Sequence, residues 1–292
     1  MQLVRISILG SSGFLGRNLC QRLVVEGHEV VGFALEVSKE DLGYERRLVS
    51  SLFDSPLSRE SIFDVTINLA ARRSTTAFPL STKQVDEFTF KIPREFILKT
   101  ASESTVILNA STYIQNFGGI EGKTTDSYAE AKERLSKFLE MESPSRGFRT
   151  IDLFFFTIYG PGDKSAHLVP LLLEAARLGS RIELSPGFQL MNLLYVEDAV
   201  ENIFNCIAPS VRVPYNKNYL WSTDYFTVRE LVERMEIVIG QKINCNWGGR
   251  EYAGHEMMEP WPIPMQKLPG FTAATSLEMG IKNTWNYMCE KF

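Results

Sequence analysis

Residues 3–9 form a short run of aliphatic and β-branched side chains that ends at Gly10. A run of that length bounded by glycine predicts a buried parallel strand. Residues 17–26 then alternate apolar and polar at helical spacing and stop at Gly27, and residues 30–35 return to a short apolar run. Strand, glycine loop, helix and strand make a βαβ unit. The alternation continues, with strands predicted over 47–52, 64–71, 105–110 and 150–158 and helices over 84–102 and from Tyr128 onward. Pro93 predicts a kink or break in the first of these helices, because its ring removes a backbone donor. The pattern as a whole predicts an α/β fold, a doubly wound (Rossmann) parallel sheet over residues 1–160, rejoined by about 190–208. Residues 161–292 are then mainly a smaller mixed α/β lobe that caps a cleft, with an extended connection at Pro260, Pro262 and Pro264.

The loop between the first strand and helix reads Gly10, Ser11, Ser12, Gly13, Phe14, Leu15, Gly16. In this position a first glycine permits the tight turn, a second admits a pyrophosphate close to the backbone, and a third lets helix and strand pack. The helix N-terminus adds unpaired N–H groups that favour an anion. Gly10, Ser12, Gly13, Phe14, Leu15 and Gly16 are therefore expected to hold a dinucleotide, with Leu69, Ala70 and Ala71 at the exit of the fourth strand. The acidic residue expected at the end of the second strand is absent, and Ala34 stands near its place. No carboxylate there repels a 2′-phosphate, and Lys39, Arg46 and Arg47 lie close in sequence, so NADP is favoured over NAD. Glu36 remains the alternative ribose partner.

Composition narrows the class. A chain of 292 residues, 44% hydrophobic and 23% charged, buries a large core. The net charge of −4 and the lack of a basic block argue against nucleic-acid binding. No run of eighteen apolar residues occurs and the N-terminal apolar run is too short for a signal peptide, so the expected location is the cytoplasm, off the membrane. The four cysteines and three histidines are scattered, which predicts reduced thiols and no metal site.

The chemistry gathers around Tyr128 and Lys132, four residues apart among strong helix formers. That spacing puts both on one helical face. A fixed cation beside a phenol favours phenolate and tunes it for acid–base work. Ser111 and Thr112, at the end of the fifth strand, are placed to hydrogen-bond a substrate oxygen.

Together these residues resemble the extended short-chain dehydrogenase/reductases, the branch that modifies nucleotide-linked sugars. The resemblance is carried by the glycines above, Asn68 to Ala71 as a set, Ser111 and Thr112, Tyr128 and Lys132, and the turn Ile158, Tyr159, Gly160, Pro161, Gly162. Residues 194–200, 227–232 and 275–281 extend it along the chain. It implies that Tyr128 exchanges a proton with the substrate oxygen, that Lys132 holds the nicotinamide ribose and lowers the pKa of Tyr128, and that Ser111 or Thr112 orients the same oxygen, with Thr112 favoured. It implies a nucleotide-sugar substrate and a homodimer paired through two helices per subunit.

Departures from the family pattern select among activities. Where the 4,6-dehydratases of this branch have an Asp-Glu pair, this chain has Tyr113 and Ile114, which argues against dehydration. Ala34 in place of the ribose-binding acid weakens epimerisation. The expected function is NADPH-dependent reduction of the 4-keto group of a nucleotide-linked deoxyhexose. A 4-epimerase, another carbonyl reductase, or a non-catalytic dinucleotide-binding protein are the alternatives. Phe154, Thr157, Met191, Asn192 and Leu193 replace residues that include the arginines of similar enzymes, and Arg181, Arg212 and Arg250 are the replacements to consider for the diphosphate.

Overall fold

The computed structural model describes residues 3–36, 42–52, 62–75, 78–207, 213–222 and 224–291. The first half alternates strand and helix: β1 (Arg5–Leu9), α1 (Phe14–Val25), β2 (Glu29–Ala34), β3 (Glu45–Leu48), β4 (Val65–Asn68), α2 (Thr82–Asp86), α3 (Ile92–Thr100), β5 (Val106–Thr112), α4 (Ser127–Arg146) and β6 (Arg149–Phe155). The second half is more irregular: β7 (Thr157–Tyr159), α5 (Leu168–Leu178), β8 (Ile182–Leu184), β9 (Leu190–Met191), β10 (Leu193–Tyr195), α6 (Val196–Asn205), β11 (Tyr215–Leu220), β12 (Phe226–Thr227), α7 (Val228–Ile239), β13 (Cys245–Trp247), β14 (Gln266–Lys267) and α8 (Leu277–Lys291).

Eight strands form one sheet in the order β14-β11-β6-β5-β4-β1-β2-β3. Every neighbouring pair in it is parallel. The expected α/β doubly wound sheet is therefore present, and the winding direction reverses between β1 and β4, where open sheets of this kind form a crevice. All four residues of β4 are buried, as a strand covered on both faces requires. In α1 the buried positions Gly16, Leu19, Cys20 and Leu23 recur at helical spacing and form the stripe that meets the sheet.

One face of the sheet packs Ile6, Ile8, Ile67 and Leu108 against Leu19 and Leu23 of α1 and Ala199 and Ile203 of α6. Residues 193–205 thus return to the core begun by the first strand. The opposite face packs Phe33 and Ile107 against Phe96 and Ile97 of α3 and Leu135 and Leu139 of α4. A separate core joins Leu172 and Leu173 of α5 to Leu231 and Met235 of α7 and Ile281 of α8. The α6 carboxylate of Asp198 ties it to the first, accepting from the backbone N–H of Ala274 (3.3 Å) and of Thr275 (3.1 Å) ahead of α8.

Two elements differ from the sequence expectation. The strand expected over 47–52 ends at Leu48, and residues 49–52 turn into a short 3₁₀ segment in which Ser51 Oγ donates to the Leu48 carbonyl (2.6 Å). The helix expected over 84–102 does not break at Pro93. A π-helical turn over residues 87–91 precedes it, so Pro93 falls in the first turn of α3, where a missing N–H costs little. No described helix is long and apolar enough to cross a membrane.

The tightest constraint in the first βαβ unit is at Gly16, where an added Cβ would lie 2.1 Å from the Gly10 carbonyl oxygen. Gly16→Ala is expected to lower stability by roughly 1–3 kcal/mol through overpacking against backbone that cannot yield. Urea denaturation of both proteins measures this, and coincident midpoints would rule the constraint out.

Candidate active site

The loops that leave β1, β2 and β4 border a cleft of about 270 Å³. Of the expected dinucleotide residues, Gly10, Ser12, Gly13, Leu69, Ala70 and Ala71 line it. Gly10 has φ +86, and a Cβ there would lie 2.9 Å from the Ala70 nitrogen, so only glycine lets the two loops meet. Phe14 and Leu15 instead pack into the core beneath the loop, and Gly16 is buried there. Gly13 caps α1 with no side-chain acceptor for the first-turn amides, the arrangement suited to an external anion. Glu36, Val49, Phe88 and Arg72 also line it. The residues present fit a dinucleotide.

Ser111 and Thr112 end β5 on opposite faces, as strand alternation requires. Ser111 is buried, and its hydroxyl donates to Asp152 Oδ1 (2.6 Å) and lies 3.1 Å from Ser136 Oγ. Thr112 has its backbone N–H held by Gln115 Oε1 (3.0 Å). Lys132 is buried, and its ammonium donates to the Ala110 carbonyl one residue before Ser111. Burial brings Lys132 down to about 8, with the Asp152 carboxylate opposing the shift.

Tyr128 occupies the first turn of α4, and burial pushes its phenol up to about 12. The cation acting on that phenol is Arg73, whose guanidinium carbon lies 5.8 Å from the ring centroid. This differs from the pairing expected of Lys132, because the Lys132 side chain is turned toward Ala110 in β5. Asp126 fixes the arrangement. One of its oxygens caps α4 by accepting from the Ala129 N–H (2.9 Å), and the other takes Arg73 Nη2 (2.6 Å). Arg73 Nη2 also lies 3.3 Å from His255 Nε2, and burial together with this guanidinium holds the imidazole below its usual range. The loop carrying Arg73 is gripped by Thr89 of the π-helical turn, whose hydroxyl donates to the Arg72 carbonyl and accepts from its N–H, both at 3.2 Å.

Sequence reasoning assigned no role to Asp126, His255 or Asp152. Asp126 carried a signal, since an aspartate directly before a run of helix formers is an N-cap. Tyr113 stacks on Phe156 with ring centroids 4.3 Å apart and 12° between planes, and burial pushes its phenol up to about 12. Ile114 is buried. Of the arginines considered for a diphosphate, Arg181 pairs with Glu183 (3.2 Å), Arg250 is exposed, and Arg212 lies outside the described residues. Asn192 orders the next loop, donating to the carbonyls of Ser222 (2.8 Å) and Asp224 (3.2 Å).

The model of the NAD dependent epimerase/dehydratase family matches residues 6–217. The chain is 26% identical to the CDP-abequose synthase of Yersinia pseudotuberculosis over 88% of its own length and 92% of that protein. Among solved structures, MoeE5 in complex with UDP-glucuronic acid and NAD superposes with a TM-score of 0.80 at 16% identity, covering 99% of this chain and 100% of that one. A UDP-glucuronic acid 4-epimerase from Bacillus cereus, in complex with UDP-glucuronic acid and NAD, gives 0.81 at 14% identity over 99% and 100%. These two likenesses show the fold.

They also overturn the expected preference for NADP, since both structures hold NAD. The cleft supplies the physical reason. Glu36, a carboxylate, lines it beside Ala34 and Leu35. Arg46 and Arg47 lie on β3 and do not line it, and Arg47 pairs with Glu45 at 2.6 Å. Lys39 lies outside the described residues. On the match of residues 6–217 and the parallel sheet that carries them, the chain belongs to the NAD dependent epimerase/dehydratase family.

Proposed function

We infer that the chain is an NAD-dependent enzyme acting at the 4-position of a nucleotide-linked sugar, with reduction of a 4-keto-deoxyhexose as its reaction. The observation that carries this reading is that α4 bears both a phenol held protonated at Tyr128 and the buried Lys132 ammonium, in a chain whose β1, β2 and β4 loops form a glycine cleft suited to a dinucleotide. Bound in that cleft, NADH supplies the hydride. Tyr128, protonated at neutral pH, gives its proton to the substrate oxygen so that negative charge does not build up there. Thr112 would orient that oxygen, and Lys132, whose ammonium donates to the Ala110 carbonyl, would hold the nicotinamide ribose. Gly10, Ser12 and Gly13 carry the pyrophosphate, and Glu36 takes the adenosine ribose. The relative that makes CDP-abequose supports a nucleotide-linked product.

Tyr113 and Ile114 support reduction over dehydration, since neither is a carboxylate and the Tyr113 phenol is stacked and held protonated. A 4-epimerase is the second reading, favoured by the likeness to the Bacillus cereus enzyme and by Glu36 at the cleft. Incubation with NADH and a panel of CDP- and UDP-linked 4-keto sugars separates them. Reduction consumes NADH in step with substrate, whereas interconversion of the matching 4-hydroxy sugars without net NADH loss would establish the epimerase.

Tyr128→Phe is expected to lower turnover by about 10²–10⁴-fold while dinucleotide affinity, followed by fluorescence, stays within a few-fold. Undiminished turnover would remove Tyr128 from the reaction. Thr112→Val should also lower turnover strongly. Ser111→Ala should mainly cost stability, about 1–3 kcal/mol, by taking a donor from a buried carboxylate. The reverse order of turnover losses would make Ser111 the catalytic hydroxyl. Because Lys132 loses its proton as pH rises through about 8 while Tyr128 keeps its own to about 12, the rate of reduction should decline above about pH 8. A rate flat to pH 10 would count against a role for the ammonium.

A further inference from the structure

Asp152 is a carboxylate in the centre of the sheet, 0% exposed, that the reaction above does not use. Its Oδ1 accepts from Asn109 Nδ2 (2.8 Å) and Ser111 Oγ (2.6 Å), and its Oδ2 accepts from the Tyr215 hydroxyl (2.8 Å). Three donors satisfy its two oxygens. A buried carboxylate carries a large desolvation cost unless an opposite charge stands near. Asn109 and Ser111 flank Ala110, whose carbonyl receives the Lys132 ammonium. Three successive residues of β5 therefore link the two groups, the outer two bonding Asp152 through their side chains and the middle one accepting from Lys132 through its backbone. Asn109 Oδ1 in turn accepts from Asn68 Nδ2 (2.8 Å), and Asn68 Oδ1 accepts from the Ala70 N–H (3.1 Å) at the rim of the dinucleotide cleft.

We propose that Asp152 is a positioning residue, the buried counter-charge that keeps the Lys132 ammonium protonated and seated on the Ala110 carbonyl. Its importance for turnover rests on the catalytic reading of Lys132 given above. Asp152 is also the group that works against the burial of Lys132. Several other charges on α4 and the elements packed against it have partners of their own. Glu133 pairs with Lys137, Asp86 with Arg134 and Lys91, Lys91 also with Glu87, and Lys217 of β11 with Glu121 and Glu140. Tyr128 on the same helix and Tyr215 on β11 present phenols that burial keeps protonated.

The test is an NMR titration of the Lys132 side chain in the full-length protein and in Asp152→Asn. Removing the charge should lower the Lys132 pKa by about one pH unit or more, and the alkaline fall in kcat should move down with it while KM changes less. An unchanged Lys132 titration in the variant overturns the proposal. If the titration moves and the rate profile does not, the counter-charge stands and it is the catalytic reading of Lys132 that fails. Should Asp152→Asn not fold, the parent protein still decides. The Asp152 carboxyl carbon shift should inflect at the pH where Lys132 titrates, and a flat trace there overturns the assignment.

Discussion

A buried ammonium has to be held by something, and the centre of this sheet is arranged around that requirement. Lys132 sits in a nearly water-free position on α4, where charge is costly unless acceptors and counter-charge are close. The Ala110 carbonyl supplies the acceptor and Asp152 the charge, and Asn109, Ser111 and Tyr215 then satisfy the carboxylate in its turn. The parallel register makes this possible, because Asn109 lies directly beside Asp152 on the neighbouring strand. Polar residues in the middle of β5 and β6 would otherwise weaken a sheet buried on both faces.

A second convergence surrounds Tyr128. The N-cap aspartate of α4, the loop after β4 and a histidine from the C-terminal half meet at the Arg73 guanidinium. Thr89 in the π-helical turn fixes the backbone of that loop from the other side. The irregular turn before Pro93 is thus part of what places a cation near the phenol. One carboxylate, Asp126, both starts the helix that bears Tyr128 and anchors the arginine beside it.

An aromatic cluster lies around the end of β6. Phe154, which stands where similar enzymes carry an arginine, is buried with Phe156, Tyr219 and Met257, and Tyr113, Trp221, Tyr225 and Trp261 pack around them. Asn192 is bound into the neighbouring loop through Ser222 and Asp224.

Much was legible in local pattern. Gly10, Gly13 and Gly16 between a short apolar run and an amphipathic helix determined the βαβ unit, because backbone sterics at a tight turn tolerate little else. The four-residue spacing of Tyr128 and Lys132, and the order of motifs along the chain, pointed to the chemistry for the same local reason. Tertiary structure decided what lies beside each group. Arg73 reaches Asp126 across 53 residues and His255 across 182, and Ser111 turns to an aspartate 41 residues away. The cofactor preference also turned on such a contact: Ala34 was read from its place in the strand, whereas Glu36 lines the cleft and Arg47 is held by Glu45. Sequence spacing governs which side chains share an element's face, while the partner of a charged group follows from how elements pack, and burial makes that partner set the group's charge.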